Sequence, residues 1–287
     1  MAKRKFSLTE DNYYSLEANE KFCSASQWKS FMGCPAIPSC EARAMAEIRG
    51  EYVREVTNAL YEGQILDTLW ELNDMPEEEQ AKIIAQRFPD CVSTRGDTKG
   101  QLKYEFRKVI NMYQRTLRDE FFCQLMSGQK QTIMTGTIEG LPFKIKMDSF
   151  VPGVCITDLK TTENCSKNMR RYVPDSGNRE TFVRYWGYDT QLAIYREIVR
   201  QNTGDTLRCY IAAVDKKSHP LPQTIEIDPN ILDDALDIVK RNAWKVIGLK
   251  SGEIEAVERC EECDYCRDTY KCKPISLSEF EAQDGGV

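Results

Sequence analysis

Hydrophobic residues recur at helical spacing through the first half of the chain and at alternate positions through its middle, so the pattern predicts helices first and a sheet afterwards. Ser26 is placed to cap a helix beginning at Gln27, and helical spacing resumes beyond Pro35 and Pro38 over residues 42–48. A second helix is expected over 53–72. Further helices follow between 76 and 128, with Leu102, Phe106, Val109, Ile110, Tyr113 and Leu117 at helical spacing. The period then drops to two. Apolar and polar residues alternate from Phe143 to Asp148, an extended run over 131–138 precedes them across a turn at Gly140, and a third strand over 154–160 follows Pro152-Gly153. A helix over 181–201, strands over 207–214 and 223–227, and a helix over 229–249 complete the pattern. That order predicts an α/β (α+β) fold with a β-meander at its centre.

With 287 residues, 41% hydrophobic and 29% charged, the chain can form one large domain or two small ones. No stretch approaches the roughly 18 apolar residues that span a bilayer, and the basic N-terminus has no apolar segment behind it, so a cytosolic protein with no membrane partner is expected. A net charge of −6 argues against coating nucleic acid by bulk attraction, but allows acidic ligands beside a local basic track. Four of the twelve cysteines crowd at Cys260, Cys263, Cys266 and Cys272, which points to a metal rather than to disulfides.

Candidate chemistry lies in the meander. Asp148 closes one expected strand, and Asp158 nears the end of the next with Lys160 two residues on, on the same face as Ile156. A turn at Pro152-Gly153 brings the two carboxylates together, giving an oxygen-rich site suited to Mg²⁺ or Mn²⁺, with Lys160 beside it to hold water or offset charge. Asp-x-Lys alone is too common to carry a function. Two aspartates ending adjacent apolar strands are less common, because strands are poor in Asp.

With Gly63-Gln64-Ile65-Leu66-Asp67, Lys146-Met147-Asp148, Thr157-Asp158-Leu159-Lys160-Thr161 and Gln191-Leu192-Ala193-Ile194-Tyr195, in that order, the chain resembles the RecB-like branch of the PD-(D/E)XK nucleases. Among these it looks most like the exodeoxyribonuclease VIII (RecE-like) proteins of phages and prophages. The resemblance covers about residues 24 to 275. It implies a restriction-endonuclease-like core, with Asp148, Asp158 and the Leu159 carbonyl as metal ligands and Lys160 as the catalytic lysine. Gln191 and Tyr195 match the Q-x-x-x-Y motif. Many members have histidine where this chain has Asp67, a competent oxygen ligand; the sole histidine, His219, falls far away in an expected strand-to-strand turn. The implied organisation is a lead-in over 1–25, a nuclease domain over 26–275 (helical part 26–128, catalytic core 129–250, cysteine-rich segment 251–275) and a tail over 276–287.

In the tail, C-x2-C-x2-C is closer to an iron–sulfur run than to paired zinc knuckles. The resemblance implies a [4Fe–4S] cluster on Cys263, Cys266 and Cys272 with a remote ligand, either Cys34 or Cys40. Zinc on Cys260, Cys263, Cys266 and Cys272 is the alternative.

Lys167, Arg170, Arg171, Arg179 and Arg184, interleaved with Tyr172, Phe182, Tyr185, Trp186 and Tyr188, offer cations for phosphates and rings for unpaired bases. Together these readings point to a Mg²⁺-dependent exodeoxyribonuclease acting on linear double-stranded DNA. The resemblance adds a role in phage recombination with a single-strand annealing protein, and homo-oligomeric rings. Rival readings are a nuclease of the CRISPR-adaptation type and a non-catalytic DNA-binding module.

Overall fold

The computed structural model of the protein describes residues 6–282 except positions 175 and 256, with side chains described up to residue 279. Helices α1 (Leu16–Lys21), α2 (Ala25–Met32), α3 (Glu41–Arg49), α4 (Asn58–Glu71), α5 (Glu77–Arg87), α6 (Lys108–Thr116) and α7 (Glu120–Leu125) precede the meander β1 (Gln129–Ile138), β2 (Leu141–Val151) and β3 (Cys155–Thr162). A small hairpin of β4 (Arg171–Tyr172) and β5 (Arg179–Glu180) leads into α8 (Phe182–Tyr185) and α9 (Tyr188–Thr203). Then come β6 (Arg208–Asp215), β7 (Pro222–Glu226), α10 (Pro229–Ser251), α11 (Asp264–Asp268) and α12 (Leu277–Ala282).

The pattern located every long element, and the departures are local. Ser24 rather than Ser26 caps α2, its side chain accepting from the Gln27 amide; α4 begins at Asn58, where Thr57 supplies a side-chain cap. The helix expected over 181–201 is broken between α8 and α9 by Gly187, whose φ of 63° suits glycine best.

Five strands form one mixed sheet in the order β1-β2-β3-β6-β7. All neighbours are antiparallel except β3 and β6, whose parallel pairing requires the crossover that α9 provides. Helices cover both faces, as a mixed sheet buried on two sides demands. Phe143, Ile145, Met147, Ile156, Ile211 and Ala213 face a core completed by α2, α3, α9 and α10. Leu159, Ala212 and Val214 face a second core built from α4 to α7, where Trp70 stacks on Phe122.

One break in the ladder positions everything that follows. Strands β2 and β3 pair only at Ser149–Thr157, Phe150–Ile156 and Val151–Cys155, so β2 leaves the rest of its long edge to other partners. Cys23 takes two of those places, donating to the Pro142 carbonyl and accepting from the Lys144 amide. Between Cys23 and the residual ladder lie Lys146 and Asp148, facing β3 across a widening gap.

Candidate active site

Backbone groups freed where two strands part must find other partners. Here side chains of the parted strands and of α9 supply them. The Asp148 carboxylate accepts the Leu159 amide at 2.7 Å, and the Tyr195 hydroxyl donates to the Lys146 carbonyl at 3.1 Å. Gln191, one turn before Tyr195 on the same face of α9, donates to Asp158 Oδ1 at 2.7 Å. Lys160 Nζ stands 2.5 Å from Asp158 Oδ2, so the two Asp158 oxygens are held by Gln191 and Lys160. Asp67, on α4, accepts from Gln131 at 2.8 Å.

The structure therefore brings Asp67, Asp148, Asp158, Lys160, Gln191 and Tyr195 to one cleft. Asp158 is 2% exposed, whereas Asp67, Asp148 and Lys160 keep partial access to the cleft. Burial, then the charges of Asp67 and Asp158, hold the Asp148 carboxyl well above its ordinary value. Burial pushes Asp67 up to about 6, against the pull of Lys146 and Lys160. Burial opposes the Lys160 ammonium, but Asp158 and Asp148 outweigh it and raise its pKa. Three acids crowded together, with Lys160 on one of them, form a hard-oxygen donor set that fits a divalent cation.

Several side chains in this cleft were not singled out from the sequence. Gln131 adopts a φ of 49°, unusual for a residue with a side chain, opposite Asp148 in β1, and no sequence signal marks it. Glu62, buried one turn before the Asp67 turn of α4, binds both Lys108 and Lys216 at 2.8 Å. Lys29 lines the same cleft, beside Tyr188 of the expected aromatic track. Of the expected DNA track, Arg171 reaches the cleft, pairs with Glu163 at 3.0 Å and lies over the Tyr185 ring; Lys167 and Arg170 line a neighbouring pocket between the 165–170 loop and β7. His219 is exposed in the turn between β6 and β7.

A second constellation ties the chain's ends together. The Sγ atoms of Cys40, Cys260, Cys263 and Cys266 all lie within 4.8 Å of one another. Cys40 caps α3; Glu261, with a φ of 60°, turns the tail so that the Cys263 amide donates to Cys260 Sγ. Cys272 departs from the expected ligand set: the chain runs on without regular structure after α11 and leaves this residue exposed, outside the group. Cys34 also lies outside it, beside Gly187. Four convergent thiols suit a soft or borderline metal.

The raised carboxyl of Asp67 sets a pH dependence for the metal-free protein. The folded value of about 6 exceeds the unfolded value of 3.8, so the folded chain binds the extra proton and its stability falls as pH rises between them. Thermal melts in EDTA should show this decline, and Asp67→Asn should flatten it and raise the melting temperature at pH 7. Identical pH profiles for variant and wild type would contradict the assignment.

Comparisons with known proteins agree with this architecture. Residues 24–269 match the family described as a PDDEXK-like domain of unknown function (DUF3799). The crystal structure of a protein from Eubacterium rectale, named a "Putative exonuclease", superposes with a TM-score of 0.87 at 38% identity, over 97% of this chain and 99% of that one. A structure named SSO0001 aligns over 74% of this chain and 92% of that one at 10% identity, but its TM-score of 0.26 is too low to carry argument. No curated protein matches. The match over most of the chain, on a mixed sheet parted at two aspartates and a lysine, shows that this protein belongs to the PDDEXK-like family, with the fold of the PD-(D/E)XK nucleases.

Proposed function

We propose that the protein is a metal-dependent exodeoxyribonuclease that hydrolyses linear double-stranded DNA. The observation that carries the reading is the convergence of Asp67, Asp148, Asp158 and Lys160 where β2 and β3 part. Asp67, Asp148, Asp158 and the Leu159 carbonyl would hold Mg²⁺ or Mn²⁺. Such a cation, when bound, lowers the pKa of water and offsets charge on a phosphate. The protein's own groups do the rest. Lys160, held by Asp158, presents a cation to the reacting phosphate and its water. Gln191 and Tyr195 fix Asp158 and the Lys146 carbonyl, so the carboxylates keep their places as charge changes.

The Eubacterium rectale protein's name, an exonuclease, supports action at nucleic-acid ends. Arg171 and Tyr185 are placed to meet the strand as it enters, with Lys167 and Arg170 further along its path. The resemblance to RecE-like proteins suggests phage recombination beside a single-strand annealing protein in a host cytosol, with a homo-oligomer as the working form. A CRISPR-adaptation-type nuclease would use the same centre. A binding-only module has no use for three mutually repelling acids around one lysine.

For the cysteine centre we favour zinc. Tetrahedral zinc with bonds of about 2.3 Å sets its sulfurs about 3.8 Å apart. Cys40 Sγ lies 3.5 Å from Cys266 and 3.8 Å from Cys263, and Cys260 lies 4.0 Å from Cys266. A [4Fe–4S] cluster places each sulfur on a different iron and needs a wider cage.

With end-labelled linear duplex, Mg²⁺ or Mn²⁺ should support stepwise release of label, and EDTA should abolish it. Lys160→Ala and Asp158→Ala should each lower the rate by about 10²-fold or more. Binding without cleavage in either metal would overturn the nuclease reading. Anaerobically purified protein should be colourless with one zinc per chain, and a brown protein carrying iron and sulfide would establish the cluster instead.

A further inference from the structure

Five cationic side chains line the active-site cleft: Lys29, Lys108, Lys160, Arg171 and Lys216. Four of them contact a carboxylate. Lys160 pairs with Asp158, Arg171 with Glu163, and Lys108 and Lys216 share Glu62. Lys29 is the exception among these five, forming no salt bridge among the described residues; deeper in the cleft, Lys144 and Lys146 also lack a carboxylate partner but lie against the rings of Tyr13 and Tyr14. Lys29 Nζ contacts only neutral acceptors, the Trp186 carbonyl at 3.3 Å and Gln191 Oε1 at 3.4 Å, and stands 5.2 Å from the centre of the Tyr188 ring.

That position is built rather than incidental. The left-handed Gly187 turns the Trp186 carbonyl toward Lys29 where α8 gives way to α9. A Cβ on Gly187 would stand 3.2 Å from Lys29 Cδ and 3.3 Å from Cys34 Cβ. On the other side, the Cys40 amide donates to the carbonyl of Ser30, the next residue of α2. Burial, then the nearby Lys160 ammonium, lower the Lys29 pKa to about 8, so the fold holds this cation at a loss. A half-buried ammonium that contacts only neutral groups has its lost hydration repaid in part, and an anion entering the cleft would complete it.

Resting on the nuclease reading, we propose that Lys29 is a substrate-contacting residue whose ammonium receives a nonbridging oxygen of the backbone phosphate flanking the scissile one. Lys29 reaches Asp158 only through the Gln191 amide, by hydrogen bonds of 3.4 and 2.7 Å in series. It therefore stands one group removed from the carboxylates, and the neighbouring phosphate is the one it meets. The same contact fixes the Gln191 amide with its nitrogen toward Asp158, so Lys29 serves substrate and site together.

The test uses the full chain and linear duplexes bearing one uncharged methylphosphonate at successive linkages near the end. In wild type, neutralising the flanking linkage should slow single-turnover cleavage about 10- to 100-fold, the worth of a charge-assisted hydrogen bond. Lys29→Met should be slower on unmodified DNA by a similar factor, and indifferent to the charge at that linkage alone. Lys29→Arg should recover part of both. A Lys29→Met enzyme as fast as wild type, or one still sensitive at every linkage, would overturn the assignment. Sensitivity at every linkage would mark a purely structural role.

A wild type that cuts nothing sinks the nuclease reading, and Lys29 is then judged by binding. Its replacement by Met should reduce the slope of log affinity against log salt by about 0.9. An unchanged slope would overturn the phosphate contact. Matching thermal melts establish that the variants are folded.

Discussion

Everything at the centre of this protein depends on the parting of β2 from β3. A continuous ladder through Asp148 and Asp158 would satisfy the backbone and leave no room for chemistry. By separating after three residue pairs, the strands open a gap whose exposed amide and carbonyl must be answered. The Asp148 carboxylate answers the Leu159 amide, and the Tyr195 hydroxyl answers the Lys146 carbonyl. The residues that repair the sheet are thus the residues that line the site.

Charge follows from the same geometry. Burial, then the charges of Asp67 and Asp158, raise the proton affinity of Asp148, and burial raises that of Asp67 despite Lys146 and Lys160. The metal-free site stores repulsion that a divalent cation relieves. Around it Lys108, Lys216 and Arg171 are tethered to carboxylates, which keeps them ordered and limits the net positive charge they add. A chain of net charge −6 can thus carry the local cations that the proposed polyanionic substrate requires. The cysteine centre acts at a distance: it joins the start of α3 to the tail, and α3 in turn holds the end of α2 through Ser30.

Much of this was legible in the chain, for identifiable reasons. Alternation along β2 and β3 and the helical period of α9 and α10 are strong signals, and they placed Asp148, Asp158, Lys160, Gln191 and Tyr195 on the right elements. Gly187 interrupting a helical pattern was visible as a residue but not as a break. Gln131, Glu62 and Lys29 left no trace, because each acts through tertiary contact: a backbone bend opposite Asp148, a shared carboxylate, a turn from another helix. The cysteine spacing pointed to a thiol cluster able to hold a metal. It could not reveal that Cys260 rather than Cys272 completes the group, since the left-handed Glu261 decides that.

The most direct test of the central claim is Mn²⁺ binding followed by electron paramagnetic resonance on wild type and Asp148→Asn. The account predicts that wild type takes up Mn²⁺, more tightly as pH rises through about 6. The folded variant, lacking one carboxylate at the parting of the strands, should bind little. Equal binding by both, or none by wild type, would contradict it.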